Sequence, residues 1–298
     1  AGLDATMDRI AVALQRDGVA VAEVAAICAS SSVEYGATFF GILRAGAVVA
    51  PLAPSSTPES LVGQLKDCGA KVFFLDHPVA QAMAGVMDQV AAKRVALDGS
   101  DAGMAFEDWL APKGARPAPV TVDPDQGFNI IYSSGTTGAP KGIVQPHRMR
   151  WGQIRRGVYP PTSVTLISTP LYSNTTLVSY LPTISNGGTV VLMPKFDAEQ
   201  FLKLSEQHRV THAMLVPVQY RRLMERPDFD SYDLSAFQMK FSTSAPFAAA
   251  LKADILKRWP GGLIEYYGMT EGGGSCGLLA HEHPDKLHTV GRPLPGHD

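Results

Sequence analysis

The residues with the clearest chemical potential lie in the segment 133–142, which reads SSGTTGAPKG and directly follows the apolar run FNIIY at 128–132. Glycines let the backbone approach phosphate oxygens closely, the Ser and Thr hydroxyls donate hydrogen bonds, and Lys141 supplies a positive charge. The pattern therefore predicts a strand that leads into a loop that binds the phosphates of a nucleotide.

This loop differs from the one found in P-loop NTPases. That motif requires a lysine directly after its last glycine and a Ser or Thr directly after the lysine. Here Pro140 precedes Lys141 and Gly142 follows it, so the class is excluded. A plain Ser/Gly-rich linker is the alternative, and it is disfavoured because a linker has no reason to follow a strand of the buried type.

A second motif lies near the end of the chain, where 267–271 reads YGMTE. The two motifs, in this order, resemble the signatures of the adenylate-forming (AMP-binding) superfamily. The resemblance is strongest to acyl- and aryl-CoA synthetases of the 4-coumarate-CoA ligase and fatty-acyl-CoA ligase type. In the first signature Ser133 stands where the family has threonine, which keeps the hydroxyl group.

The resemblance implies that ATP or AMP and Mg²⁺ bind here. Lys141, Thr270 and Glu271 would be the catalytic residues. Thr270 would contact the α-phosphate, and Glu271 would ligate Mg²⁺, a hard cation that prefers carboxylate oxygen. The residues expected to hold the phosphates are Ser133, Ser134, Gly135, Thr136, Thr137, Gly138 and Lys141.

The same resemblance places adenine between the end of one strand and an aromatic ring on another. Thr243 and Tyr266 stand where the family more often has glycine, so both bear on the width of this slot. The residues expected to line it are Ser244, Ala245, Pro246, Glu265, Tyr266, Tyr267 and Gly268.

The acid and CoA sites are also implied by resemblance. Ser173 stands where many CoA synthetases have a histidine, and no aspartate lies within 168–180 to pair with an amino group, which favours a simple acid. Lys195 matches a basic residue that contacts CoA phosphates, although a lone lysine after a strand is equally well a surface charge. The residues expected to contact the acid are Tyr172, Ser173, Thr175, Ser179 and Leu278; ordinary packing explains the last three equally well.

The implied function is an acid–thiol ligase that forms an acyl-adenylate from ATP and a carboxylic acid, then transfers the acyl group to coenzyme A. An adenylation domain that loads a carrier protein and a nucleotide-binding module without catalysis are the alternatives. The resemblance also implies that this chain is the N-terminal part of such an enzyme, with the small C-terminal domain of the same polypeptide absent, so the isolated fragment should be poorly active. The particular acid and the oligomeric state stay open.

Short apolar runs alternate with helical patterns along the chain, which predicts an α/β fold with mostly parallel sheets. The segment 111–119 is rich in proline and glycine, so we place a connector at 112–119. It would separate a first α/β lobe, 1–111, from a second lobe, 120–298, that holds the phosphate loop and the adenine and acyl pockets.

Composition limits the partners and the compartment. A formal net charge of −2 with 18% charged residues gives no basic surface for nucleic acid. The 3 cysteines form no C-x-x-C pair, and no uninterrupted apolar run is long enough to span a membrane. We therefore expect a cytoplasmic protein that binds small molecules.

Overall fold

The computed structural model describes residues 2–133, 141–271 and 275–295. The chain divides into two compact units, Ala1–Gly152 with Leu171–Ser173 and Gln153–Pro170 with Asn174–Asp298. Each unit contains its own mostly parallel sheet, with helices along the chain between the strands. This architecture confirms the predicted α/β class.

The first unit has a sheet with the strand order β5-β4-β3-β1-β2-β6-β7 in the described residues. All its strands are parallel to their neighbours except β7, which runs antiparallel to β6. Its elements are α1 (Gly2–Arg16), β1 (Val24–Cys28), α2 (Val33–Arg44), β2 (Val48–Pro51), α3 (Pro58–Asp67), β3 (Val72–Leu75), α4 (His77–Ala82), β4 (Lys93–Ala96), β5 (Met104–Ala105), α5 (Phe106–Trp109), β6 (Gly127–Ser133), β7 (Lys141–Pro146) and α6 (His147–Ile154), whose last two residues belong to the second unit.

Local sequence explains why these elements begin where they do. The central strands β1, β2 and β3 are continuous apolar runs buried along their whole length, as parallel strands covered on both faces require. Helix α2 begins after Ser32, whose hydroxyl accepts from the backbone N–H of Tyr35 at 3.0 Å. Helix α3 begins in the same way after Thr57, and Pro58 occupies its first position, where no N–H is needed.

The second unit has the strand order β14-β13-β12-β11-β10-β8-β9 in the described residues. Strands β8, β9, β10, β11 and β12 are parallel to one another, whereas β13 is antiparallel to β12 and β14 is antiparallel to β13. Its elements are β8 (Val164–Ile167), α7 (Asn174–Ser185), β9 (Thr189–Leu192), α8 (Ala198–Gln207), β10 (His212–Leu215), α9 (Pro217–Met224), β11 (Met239–Ser242), α10 (Ala249–Arg258), β12 (Gly262–Tyr267), β13 (Cys276–Leu279) and β14 (Arg292–Pro293), with short 3₁₀ turns at Phe229–Ser231 and Pro284–Lys286. A further 3₁₀ turn, Met87–Gln89, belongs to the first unit.

Helices cover the second sheet on both faces. We name the α10 face after the helix that packs on it: there Leu166, Leu215 and Leu263 share a core with Ile255 and Trp259. The opposite, α7 face carries a smaller cluster that includes Met214, Phe241 and Ile264, with Val178 of α7 packed against it. Because side chains alternate along a strand, each residue of β11 and β12 is assigned to one face.

The boundary between the two units lies at a different position in the sequence from the predicted connector at 112–119. Strands β6 and β7 join the first sheet, with Asn129 of β6 paired to Val49 of β2. Residues 120–152 therefore belong to the first unit, with the strand that precedes the predicted phosphate loop. The proline and glycine content of a segment identifies where regular secondary structure is absent, but it does not predict which sheet the next strand will join.

Two further differences concern helices. The amphipathic helix α1 and its packing against α2 were not predicted. The sequence pattern predicts a helix over 78–92, whereas helix α4 ends at Ala82. Asp197 with Gln200 three residues later predicts a capped helix start. The structure confirms this cap, since Asp197 Oδ1 accepts from the N–H of Gln200 at 2.8 Å. Within the described residues, no helix combines the length and apolar character needed to cross a bilayer.

Candidate functional site

The predicted phosphate loop lies between β6 and β7 of the first unit. Ser133, the last residue of β6, pairs with Lys141, the first residue of β7, and the Lys141 side chain is exposed. Five of the residues predicted to hold phosphates lie outside the described part of the chain: Ser134, Gly135, Thr136, Thr137 and Gly138.

Tyr132 fixes the base of this hairpin. Its phenol donates to Asp67 Oδ2 at 2.6 Å and lies 3.1 Å from the backbone oxygen of Gln64, both in α3. Its ring packs closely on Gly142, where an added Cβ would lie 3.1 Å from Ile130 Cγ2 and 3.2 Å from the Tyr132 ring, so a side chain there would require these neighbours to shift. Burial and the bond to Asp67 raise the pKa of the Tyr132 phenol well above its usual value. Asp67 is a residue that sequence reasoning missed.

A buried guanidinium lies under the same hairpin. Arg150 of α6 is 1% exposed, and it donates to Asn129 Oδ1 at 3.0 Å and to Gln145 Oε1, one acceptor on each strand. Burial lowers the pKa of Arg150 to about 9. Sequence reasoning missed this residue, because a short polar helix with an exposed Trp151 gives no sign of which charge turns inward.

The carboxyl ends of β8, β10, β11 and β12 lie along one edge of the second sheet, the position where open parallel sheets bind ligands. Ser242 at the end of β11 pairs with Glu265 of β12, so the segments that follow are neighbours. Ser244, Ala245 and Pro246 are exposed there, and Tyr267 is 59% exposed. The structure thus brings together the two predicted walls of the adenine slot.

Glu265 points away from this opening. Its carboxylate accepts from Lys252 Nζ of α10 at 2.5 Å, and both side chains are almost completely buried. The same ammonium donates to the backbone oxygen of Thr289 at 3.1 Å. The carboxylate is therefore bound to Lys252 on the α10 face, and of Glu265 only the backbone groups remain as candidates for lining the adenine slot.

A second buried lysine also lies on the α10 face. Lys240 Nζ donates to three backbone oxygens after α10, those of Trp259, Pro260 and Gly261, at 3.1, 2.5 and 2.8 Å. Its ammonium lies 5.5 Å from the centre of the Trp259 ring system. Burial lowers the pKa of Lys240 to about 7. This lysine holds the end of α10 against β11.

Tyr266 lies on the α7 face, on top of a stack of rings. It is parallel to Phe241, with 6.1 Å between ring centres and 8° between planes. Phe241 in turn contacts Tyr159 at 5.2 Å and His212 at 6.4 Å. Burial raises the pKa of the Tyr266 phenol and lowers that of His212 to about 4. This face therefore offers a flat aromatic surface beside the predicted adenine wall.

The residues predicted to contact the acid are distributed over several places. Thr175, in the first turn of α7, shares a 2.6 Å hydrogen bond with the hydroxyl of Ser244. Ser179 is completely buried and donates to the backbone oxygen of Thr176. Leu278 is 2% exposed within the α10-face core, on the side of the sheet opposite α7. Tyr172 and Ser173 belong to the first unit.

The residues predicted for the α-phosphate, magnesium and CoA within the second unit follow strands of its sheet at the same edge. Thr270 and Glu271 follow β12, with Glu271 exposed. Lys195 is exposed after β9, four strand spacings from β12, or about 19 Å at 4.8 Å per spacing. No cluster of three or more His, Cys, Asp or Glu that could hold a metal occurs in the described ranges. A single exposed carboxylate still suits Mg²⁺, which binds nucleotides through one or two carboxylates plus phosphate oxygens.

Known proteins resemble this chain along its whole length. The family model described as AMP-binding enzyme matches residues 1–298. The chain is 30% identical to 4-coumarate–CoA ligase 3 of Arabidopsis thaliana, over 95% of this chain and 53% of that protein. It is 31% identical to indoleacetate–CoA ligase of Aromatoleum aromaticum, over 99% of this chain and 59% of that protein.

Solved structures agree with this similarity. The inhibitor-bound N-terminal domain of FACL13 from Mycobacterium tuberculosis superposes with a TM-score of 0.85 at 25% identity, covering 98% of this chain and 75% of that one. ATP-bound MatB from Rhodopseudomonas palustris superposes with a TM-score of 0.80 at 27% identity, covering 99% and 59%. The chain spans between half and three-fifths of the length of the curated relatives it matches. This chain belongs to the AMP-binding enzyme family of adenylate-forming enzymes.

Proposed function

We propose that the protein that contains this chain is an AMP-forming acid–thiol ligase. It joins ATP and a carboxylic acid into an acyl-adenylate with release of pyrophosphate, and then transfers the acyl group to the thiol of coenzyme A. The observation that carries this proposal is the edge of the second sheet, where the exposed Ser244–Pro246 segment lies beside Tyr267 on the adjacent strand. An exposed ring next to exposed backbone groups suits a planar base that needs stacking and edge hydrogen bonds.

The roles of the remaining residues follow from the charge that the reaction develops. Attack on the α-phosphorus places extra negative charge on its oxygens, so hydrogen-bond donors and cations there lower the barrier. Thr270 donates to the α-phosphate, and Lys141 neutralises phosphate charge. Mg²⁺, held by Glu271 and phosphate oxygens, would supply further neutralisation when bound. Tyr132, through Asp67, holds the hairpin that carries Lys141.

We also propose that coenzyme A, and not a carrier protein, accepts the acyl group. Lys195 is exposed and distant from β12 along the sheet, which suits a contact to the phosphates of a long ligand such as coenzyme A. Both curated relatives described above are named as CoA ligases, which favours coenzyme A over a carrier protein.

The test is mass spectrometry of the whole protein that contains this sequence, supplied with ATP, Mg²⁺, coenzyme A and a panel of fatty, aromatic and amino acids. We expect an acyl-CoA product, AMP and pyrophosphate. An acyl-adenylate that accumulates without thioester would favour the loading of a carrier protein. Nucleotide binding without any turnover would favour a binding module and contradict the proposal.

A further inference from the structure

Ser244 has a backbone conformation that serine rarely adopts. Its φ is +79°, in the left-handed region that glycine occupies without strain. Among the described non-glycine residues, positive φ also occurs at Ala22 and Arg209. Arg209 directly follows the capping residue of α8, and Ala22 lies in the turn before β1, both ordinary places for it. Ser244 instead lies at the ligand-binding edge of a sheet.

The side chain of Ser244 makes a specific contact with the neighbouring helix. Its hydroxyl and that of Thr175 are 2.6 Å apart, which joins the end of β11 to the first turn of α7. Other hydroxyls of α7 are buried and bonded inside the protein: Thr176 bonds to Thr169 at 2.7 Å, and Thr183 donates to the backbone oxygen of Ser179 at 2.8 Å. The Thr175–Ser244 pair lies at the surface of the unit instead.

Two hydroxyls that share one hydrogen bond retain a second O–H, which can be donated to a ligand. This donor lies next to Ala245 and Pro246, which we propose contact adenine, and at the start of the helix that bears Ser179. A strained residue held by a specific contact at a binding edge is a sign of function.

We propose that the Thr175–Ser244 hydroxyl pair donates a hydrogen bond to one carboxylate oxygen of the acid and thereby orients the other oxygen towards the α-phosphorus of ATP. This inference rests on the proposed adenylate-forming function. The free carboxylate oxygen forms the new bond to phosphorus, and the bond to pyrophosphate breaks, with its electron pair leaving on pyrophosphate. The carboxylate reacts in its ionised form, so the pair positions it and removes no proton.

Three variants of the whole protein test the proposal in steady-state assays of pyrophosphate release. Thr175→Val keeps the shape of the side chain but removes its hydroxyl, and Ser244→Gly removes the other hydroxyl while relieving the strain. Each should raise the KM for the acid about 10- to 100-fold, the usual effect of losing a hydrogen bond to a charged group. Thr175→Val should change the KM for ATP less than about twofold, whereas Ser244→Gly, at a residue proposed to line adenine, should change the KM for ATP by a smaller factor than the KM for the acid. Thr175→Ser restores the hydroxyl and should stay within about threefold of the original protein.

Thermal unfolding separates this role from a purely structural one. Ser244→Gly should keep or raise the melting temperature, because glycine adopts the left-handed region without strain. Ala22→Gly is the matched control, since it relieves the same kind of strain in the first unit and should leave both KM values unchanged.

Several results would overturn the proposal. An unchanged KM for the acid in both Thr175→Val and Ser244→Gly would do so, as would equal changes in the two KM values together with a lower melting temperature. If the unaltered protein forms no adenylate with any acid, the proposed function is wrong. If it forms adenylate and both variants do so with unchanged KM values, only the role of the hydroxyl pair is wrong.

Discussion

The buried ion pair between Lys252 and Glu265 allows a quantitative prediction. The two side chains are 1% and 5% exposed, and the charged atoms lie 2.5 Å apart. At that distance, with an effective dielectric constant of about 20, two unit charges attract by about 7 kcal/mol. Removing two ions from water costs several kcal/mol each, so the pair as a whole contributes little net stability. Removing one partner alone leaves a buried charge without that compensation.

We therefore expect Lys252→Met and Glu265→Leu each to lower the free energy of unfolding by about 3–5 kcal/mol, and the double variant to lower it by about 2 kcal/mol or less. The coupling free energy between the two positions should be about 4 kcal/mol or more. The measurement is urea denaturation followed by circular dichroism, with hydrogen exchange of the β12 amides to assign the loss to the second unit.

The chain contains a second ion pair that serves as a matched control for this double-mutant cycle. Lys203 and Glu199 have the same 2.5 Å separation, but their side chains are 55% and 47% exposed. Their coupling should be several-fold weaker than that of the buried pair, because water screens charges on a helix surface. A coupling below about 1 kcal/mol at Lys252 and Glu265 would refute the reasoning, since burial would then make no difference to a pair of identical length.

Three further predictions concern the first unit and the aromatic cluster. Lys141→Ala in the whole protein should raise the KM for ATP more than that for the acid, and unchanged ATP kinetics would contradict its assignment to phosphate. Tyr132→Phe, which removes the hydrogen bond to Asp67, should lower the free energy of unfolding by about 1 kcal/mol and raise the KM for ATP, and Asp67→Asn should raise the same KM in part. If either variant changed only the KM for the acid, the contact would not hold the hairpin that carries Lys141. His212 has a pKa of about 4 when folded, below its unfolded value of about 6.5, so the unfolded state binds more protons and stability should fall by about 3 kcal/mol as the pH drops from 6.5 to 4. His212→Phe should remove that part of the pH dependence in urea denaturation at several pH values, and an unchanged slope would contradict it.

The sequence predicted the parts of the fold that depend on local pattern. Strands such as Val72–Leu75 are short apolar runs that are buried along their length. The partner of a capping residue such as Asp197 is also local, because its carboxylate accepts from the N–H of Gln200, three residues later. Pairing between distant segments could not be predicted in the same way. After the connector the chain returns to the first sheet, where β6 pairs with β2 at Asn129 and Val49, and no local pattern in the sequence encodes this pairing.

The candidate site shows the same division. The residues that its motifs predict for adenine and the α-phosphate lie at the ends of β11 and β12, and they could be named from the sequence because loops that bind phosphate and adenine need particular residue types. The direction of individual side chains depended on strand alternation and on partners from other elements. Glu265 faces α10 because Lys252, 13 residues earlier, supplies its counter-charge, and Leu278, paired opposite Glu265, shares that face.

The burial of Lys240 and Lys252 has a consequence for chemical labelling. Their side chains are 0% and 1% exposed, whereas lysines such as Lys195 lie at the surface. An amine-reactive reagent can reach the buried pair only when the second unit opens, so their labelling rate reports the population of open molecules. Mass spectrometry of these two peptides would therefore follow the opening of the second unit under native conditions, without a denaturant and without any assay of activity.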